Sequence, residues 1–184
     1  MTFQGVALDS NPVDTINSLE AKAKALRSNW LPPDALARKD AWSDLIVRTA
    51  PTHAVSLVWN ADHGRLTADR VQADVAKLHC RVDRRLIKKF NKVRPEDRTG
   101  YIGFIEHPDT NTHVHLAWRV PEIYHGRFDA ALVHWWDRLH PYGSVDVKLI
   151  YDTPGWARYI SKDQWYFADA GEAEHFLVDR AISL

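Results

Sequence analysis

From His53 onward the spacing of apolar residues switches repeatedly between strand period and helix period, and that alternation constrains the fold more than any other sequence feature. Ala54, Val55, Leu57 and Val58 crowd into the stretch His53 to Trp59, as a buried strand requires. Val71, Val75, Leu78, Val82, Leu86 and Phe90 then recur at helical spacing behind Thr67, a capping residue, and Pro95 is placed to stop that helix. Residues 101–107 read as a strand, 108–112 as a tight turn rich in Asp, Asn and Pro, and 113–120 as the returning strand of a hairpin. Phe128, Leu132, Trp135, Trp136 and Leu139 mark a helix over 127–139, ended by Pro141 and Gly143. Val145, Val147 and Leu149 then alternate with Asp146 and Lys148. The order strand, helix, strand, strand, helix, strand predicts an α+β, ferredoxin-like (RRM-like) βαββαβ fold: four antiparallel strands, helices on one face, and the first and third strands central.

Helices flank this frame. Asn11 and Pro12 can open one that carries Val13, Ile16, Leu19, Ala23, Leu26 and Trp30 on one stripe. A shorter one is expected from Pro33 to about Thr49, with Leu36, Trp42, Leu45 and Ile46 as its apolar residues. Together they predict an N-terminal helical appendage over 1–50 and a main domain over 51–184. At the other end Thr153 and Pro154 suit the cap and first turn of a helix bearing Trp156, Tyr159, Ile160, Lys162 and Asp163.

With 184 residues, 45% of them hydrophobic, the chain has material for one domain core. The single Cys80 cannot form an internal disulfide, no secretory leader is evident, and no stretch approaches the roughly 18 apolar residues of a membrane span. A cytoplasmic protein without a membrane partner is expected. Lys and Arg total 24, as do Asp and Glu, so no global field draws in a polyanion. Positive charge is instead local: Arg81, Arg84, Arg85, Lys88, Lys89, Lys92 and Arg94 fall in one stretch, which serves equally as a solvated helix face or a phosphate-binding one.

Two residues in this frame carry the strongest chemical signal. His113 and His115 sit two apart on an expected strand, so both imidazoles leave the same face. Glu106, on the partner strand of the hairpin, can supply a carboxylate across the ladder. His107 is the alternative third ligand, but neighbours on a strand face oppositely, and Glu106 is the choice made here. Two imidazoles and a carboxylate can hold Zn, Mn, Mg or Fe. Near phosphate such a cation polarises an oxygen and orients the scissile group. Tyr159 and Lys162, three apart on one helix, would then share a face, pairing a hydroxyl nucleophile with a positive charge. Taken singly, a His-x-His pair is also a polar strand face and a Tyr-x-x-Lys a packed ring beside a solvated amine; their order and company give them weight.

In that order the segments resemble the HUH endonucleases, particularly the replication initiators of rolling-circle plasmids, single-stranded DNA phages and small DNA viruses. The strand His53 to Asn60 is similar to the family's first motif, Glu106 with His113-Val114-His115-Leu116 to its metal motif, and Arg158-Tyr159-Ile160-Ser161-Lys162 to its nucleophile motif. The resemblance spans roughly residues 53 to 165. It implies that Tyr159 attacks a phosphodiester in single-stranded DNA or a DNA hairpin at an origin, leaving a 5′-phosphotyrosyl link and a free 3′-hydroxyl. It further implies a divalent cation, Mn or Mg, on Glu106, His113 and His115, with Asp163 as an additional ligand or activator of Tyr159. Arg81, Arg84, Arg85, Lys88, Lys89 and Arg158 are the expected DNA contacts. No Gly-rich phosphate loop ending in Gly-Lys-Ser or Gly-Lys-Thr occurs, so a host helicase as well as a host polymerase would be needed. Tyr166 lies seven residues after Tyr159, and a single-tyrosine reading is preferred.

Two other readings use the same residues or the same frame. A single-tyrosine HUH transposase would share the whole site. A non-catalytic RRM-like nucleic-acid-binding module would share the frame but stack bases on aromatic residues where His113 and His115 stand.

Overall fold

Alternation along the strand His53–Val58 (β1) buries Val55 and Leu57 in one core and turns Ala54, Ser56 and Val58 to the opposite side. A strand with work on both faces belongs inside a sheet, and β1 is hydrogen-bonded on both edges. The structure, a computed structural model, describes residues 33–60, 66–106, 111–162, 175–180 and 182. The chain divides into two compact units, Met1–Leu36 and Ala37–Leu184. The helix Pro33–Arg48 (α1) therefore joins the second unit from Ala37 on, so that unit begins upstream of the expected boundary at residue 51. The helix expected over 13–30 lies outside the described residues.

In chain order the remaining elements are α2 (Ala68–Leu86), β2 (Gly100–Glu106), β3 (His113–Arg119), α3 (His125–Leu139), β4 (Ser144–Leu149), α4 (Thr153–Ile160) and β5 (Phe176–Val178). The five described strands form one antiparallel sheet in the order β4-β1-β3-β2-β5. Its first four strands have the expected ferredoxin-like arrangement, with β1 and β3 central. β5 extends the edge beside β2; three residues are too few for period-two patterning to announce it.

Both crossover helices cover one face. Val71, Val75, Leu78, Val82 and Leu86 of α2 and Phe128, Leu132 and Trp136 of α3 pack on Val55, Leu57, Ile105, Val114, Leu116 and Trp118. The other face carries a smaller cluster, in which Ile46 of α1 and Ala157 and Ile160 of α4 meet Ile102, Phe104 and Ala117. Helices thus lie on both faces rather than one, and the second face is only partly covered. Among the described residues no helix is long and apolar enough to cross a membrane.

Helix ends depart from expectation in instructive ways. Thr67 caps α2 as expected, its hydroxyl accepting from the Arg70 backbone N–H. The helix does not run on to Phe90: Ile87 is already extended and Lys89 is left-handed, with φ of 55°. Leu86 and Ile87 are both buried, and the chain leaves the helix between them. Asp152, rather than Thr153, caps α4, its Oδ1 accepting from the Gly155 N–H at 2.9 Å. That helix stops at Ile160, where the Ser161 hydroxyl turns back onto the Ala157 carbonyl at 2.8 Å. Lys162 therefore lies just past the helix rather than within it.

The α2 stripe also buries three ionisable residues, Asp74, His79 and Asp83, and the last two share one network. His79 Nδ1 is 3.1 Å from Asp179 Oδ2, its Nε2 is 3.4 Å from Asp83 Oδ2 and 3.0 Å from Thr99 Oγ1, and Thr99 donates to Asp83 Oδ1 at 2.7 Å. Burial alone would lower the His79 pKa, but the hydrogen bond to Asp179 and the charges of Asp83 and Asp179 outweigh it and raise it. A raised folded-state pKa gives stabilisation that is complete below the free value of 6.5 and lost as pH rises through the higher folded value. Urea unfolding across a pH series is expected to show a His79-dependent loss of stability as pH climbs above that value. His79→Ala should remove the dependence and cost about 3 kcal/mol near pH 6, because Asp83 stays buried without its partner.

Candidate metal centre and nucleophile

β2 and β3 pair so that Glu106 lies opposite His113 and Phe104 opposite His115. The same β3 is paired on its other edge so that Ser56 of β1 lies opposite His115. All of these side chains leave the sheet on the face away from α2 and α3. Gly103 supports the register: a Cβ there would run into the His115 carbonyl oxygen, so only glycine lets the two backbones close.

Glu106 Oε2 is 3.3 Å from His113 Nε2 and 3.8 Å from His115 Nε2, and one ligand atom from each residue falls within 4.8 Å of the others. His113 Nδ1 is 2.9 Å from the Asn111 carbonyl oxygen. A carbonyl can only accept, so Nδ1 carries the proton and Nε2 is the basic nitrogen. His115 Nδ1 is 2.8 Å from Ser56 Oγ, a hydroxyl that fixes the ring's orientation with Nε2 toward Glu106. Burial pushes the His115 pKa down to about 4, with Glu106 pulling upward and His113 and Lys162 adding to the fall. Near neutrality the ring is uncharged, the state in which imidazole binds metal.

The carboxylate is the most constrained member. Glu106 is 2% exposed, its Oε2 accepts from Lys162 Nζ at 2.9 Å, and its Oε1 has no hydrogen-bond partner among the described residues. A buried carboxylate oxygen left without a partner is costly, and a cation would satisfy it. Two imidazoles and one carboxylate fit a divalent ion of borderline hardness.

Beside this group stands the candidate nucleophile. Trp156 anchors α4 to β3 by donating Nε1–H to the Leu116 carbonyl at 3.3 Å, and its ring stacks on Tyr159 with centroids 5.3 Å apart. Tyr159 in turn lies edge to face against His115, at 5.2 Å, and remains 46% exposed. Lys162 Nζ lies 4.1 Å from the centre of the Tyr159 ring while holding Glu106, so one ammonium touches both the carboxylate and the phenol ring.

Thus Glu106, His113, His115, Tyr159 and Lys162 are brought together. His107, Asp163 and Tyr166 lie outside the described residues. Arg158 is exposed on α4 beside the site. Arg81, Arg84 and Arg85 are exposed on α2, whose core side packs against the opposite face of the sheet, and Lys88 and Lys89 follow its end. Those five residues are not part of this site; Arg85 instead lines a cavity of about 510 Å³ with Arg127 and His134 of α3. Sequence reasoning missed Ser56 and the anchoring role of Trp156. The available signal for Ser56 was its place among outward positions of a strand that otherwise alternates with Val55 and Leu57. No family model, curated protein or solved structure matches this chain.

Calorimetric titration with Mn²⁺ separates the roles of the two supporting groups. Ser56→Ala should weaken binding about tenfold by freeing the His115 ring. Lys162→Met should strengthen it several-fold, since it removes a positive charge that competes for Glu106.

Proposed function

We propose that this chain is a metal-dependent endonuclease of the HUH type that nicks and rejoins single-stranded DNA through a 5′-phosphotyrosine intermediate on Tyr159, initiating rolling-circle replication of a plasmid or phage. The observation that carries this reading is the contact of a half-exposed tyrosine ring with His115, one of the three candidate ligands, while Lys162 spans Tyr159 and Glu106. A structural tyrosine needs none of these neighbours; a nucleophilic one needs an open approach and positive charge close by.

Glu106, His113 and His115 would hold Mn²⁺ or Mg²⁺, which when bound polarises a phosphoryl oxygen. The Tyr159 hydroxyl gives up its proton and its oxygen attacks phosphorus. The P–O3′ bond breaks, the 3′-oxygen takes up a proton, and the 5′-phosphate stays esterified to Tyr159. The Lys162 ammonium stabilises the negative charge that develops on the phenol oxygen and phosphate. Because the ester preserves the phosphodiester's bond energy, attack by a 3′-hydroxyl reverses the step and reseals the strand. Arg158, exposed on the same helix, suits a backbone phosphate next to the cut. In this reading the protein works in the cytoplasm with a host helicase and polymerase.

Incubation with a pool of single-stranded oligonucleotides and Mn²⁺ should yield a covalent protein–DNA adduct that survives denaturing electrophoresis. Tyr159→Phe should reduce adduct formation by on the order of 10³-fold or more, and chelation of the metal should abolish it. An adduct that forms equally well with Phe at position 159 would remove the proposal.

A further inference from the structure

The rings of Trp156 and Tyr159 that touch His115 also line a cavity of about 360 Å³, shared with Ala54, Lys148, Tyr151 and Asp152. Its position follows from the topology. β4 is the edge strand, with no described strand paired on its outer side, and the short link from β4 to α4 turns the chain back beside the site. In the first turn of α4 a Cβ on Gly155 would displace the Asp152 carboxylate that caps the helix.

The lining is unusual for a surface that only has to be soluble. Tyr151 is 94% exposed, and Leu149 and Tyr159 are each about half exposed around the same cavity. Clustered, exposed apolar side chains of this kind mark binding sites. The charged groups among the lining residues are one cation, Lys148, and one carboxylate, Asp152. Aromatic and aliphatic walls accept a flat ring by stacking, while Lys148, whose ammonium also holds Asp146 at 2.7 Å, and Asp152, whose Oδ1 caps α4, offer one donor and one acceptor to polar groups on the edge of that ring. A nucleobase has both properties. Continuity with Tyr159 then specifies which base, since a strand whose phosphate reaches the Tyr159 hydroxyl must carry its neighbouring base past this opening.

We infer that the cavity between β4 and α4 is a nucleobase pocket, which takes one unstacked base next to the phosphate presented to Tyr159, with Tyr151 as its stacking wall. The inference rests on the proposed single-strand nicking and adds the substrate contact that orients the strand. Tyr151 touches no candidate ligand of the metal and is held by nothing in the core, so its removal leaves the fold and the Glu106, His113 and His115 group in place.

The test uses the full-length chain in the presence of a chelator, with fluorescence anisotropy of a labelled random-sequence DNA strand of about 20 nucleotides, longer than a typical single-strand binding site. An abasic deoxyribose-phosphate strand of the same length is the control. Tyr151→Ala should weaken binding of the base-bearing pool about tenfold, the loss expected for one base–aromatic stack, and leave the abasic strand unaffected. Equal affinity of the two proteins for the base-bearing pool overturns the pocket while leaving Tyr159-dependent nicking intact. So does a Tyr151→Ala effect confined to self-association of the protein, which would assign the patch to a second copy. Failure of the wild type to bind either strand also overturns the pocket, while the reading beneath it stands or falls on the Tyr159-dependent adduct formed with Mn²⁺.

Discussion

Across the β2–β3 ladder Glu106 faces His113 and Phe104 faces His115, and the rest of the site depends on this register. Side chains alternate along a strand, so a slip by one residue would send Glu106 through the sheet toward α2 and α3 and bring Ile105 to the imidazoles. Three things hold the register. Ile105, Val114, Leu116 and Trp118 are buried on the helix-covered side, Gly103 permits the close approach at His115, and β1 pairs along the far edge of β3. A candidate metal group on β2 and β3, each flanked by strands on both sides, inherits the rigidity of the sheet, which a loop would not provide.

The two faces of the sheet divide the labour. Toward α2 and α3 the packing is continuous, with Trp118, Trp136 and Phe128 fully buried, and stability comes chiefly from that side. Toward α1 and α4 the apolar cluster is small and gives way to polar residues beside it: Ser56, Glu106, His113 and His115. Exposed and ionisable groups can be tolerated there because the other face already supplies the hydrophobic burial. The cost is concentrated in Glu106, a buried carboxylate whose charge Lys162 balances from 2.9 Å. This pair couples the end of α4 to β2, so the position of the tyrosine helix and the charge state of the candidate metal group are set together.

The arrangement of positive charge follows the same division. The α2 cluster of Arg81, Arg84 and Arg85 lies on the core-bearing side, where Arg81 covers the Trp135 ring at 5.1 Å. Near the candidate site the cations are few: Lys162 and Arg158, with Lys148 at the neighbouring cavity. In a chain of zero formal net charge, that face presents aromatic surface and single cations rather than a broad field.

What the sequence by itself determined is whatever local periodicity and spacing encode. Strand and helix order, the hairpin, and a His-x-His pair on the returning strand with a glutamate on its partner are all properties of neighbouring residues, and they were legible for that reason. The end of α2 at Leu86, the short strand at Phe176–Val178, the Ser56–His115 contact and the Lys162–Glu106 pair were not legible. Ser56 meets a residue 59 positions away and Lys162 one 56 positions away, and no sequence period spans such distances. The same holds for the basic helix: its charges can be counted in the sequence, but which side of the sheet it covers is decided only when its apolar stripe docks. Tertiary packing chose that side because α2 and α3 must bury their stripes on the same row of strand residues, and this left the opposite row to the imidazoles, the carboxylate and the tyrosine.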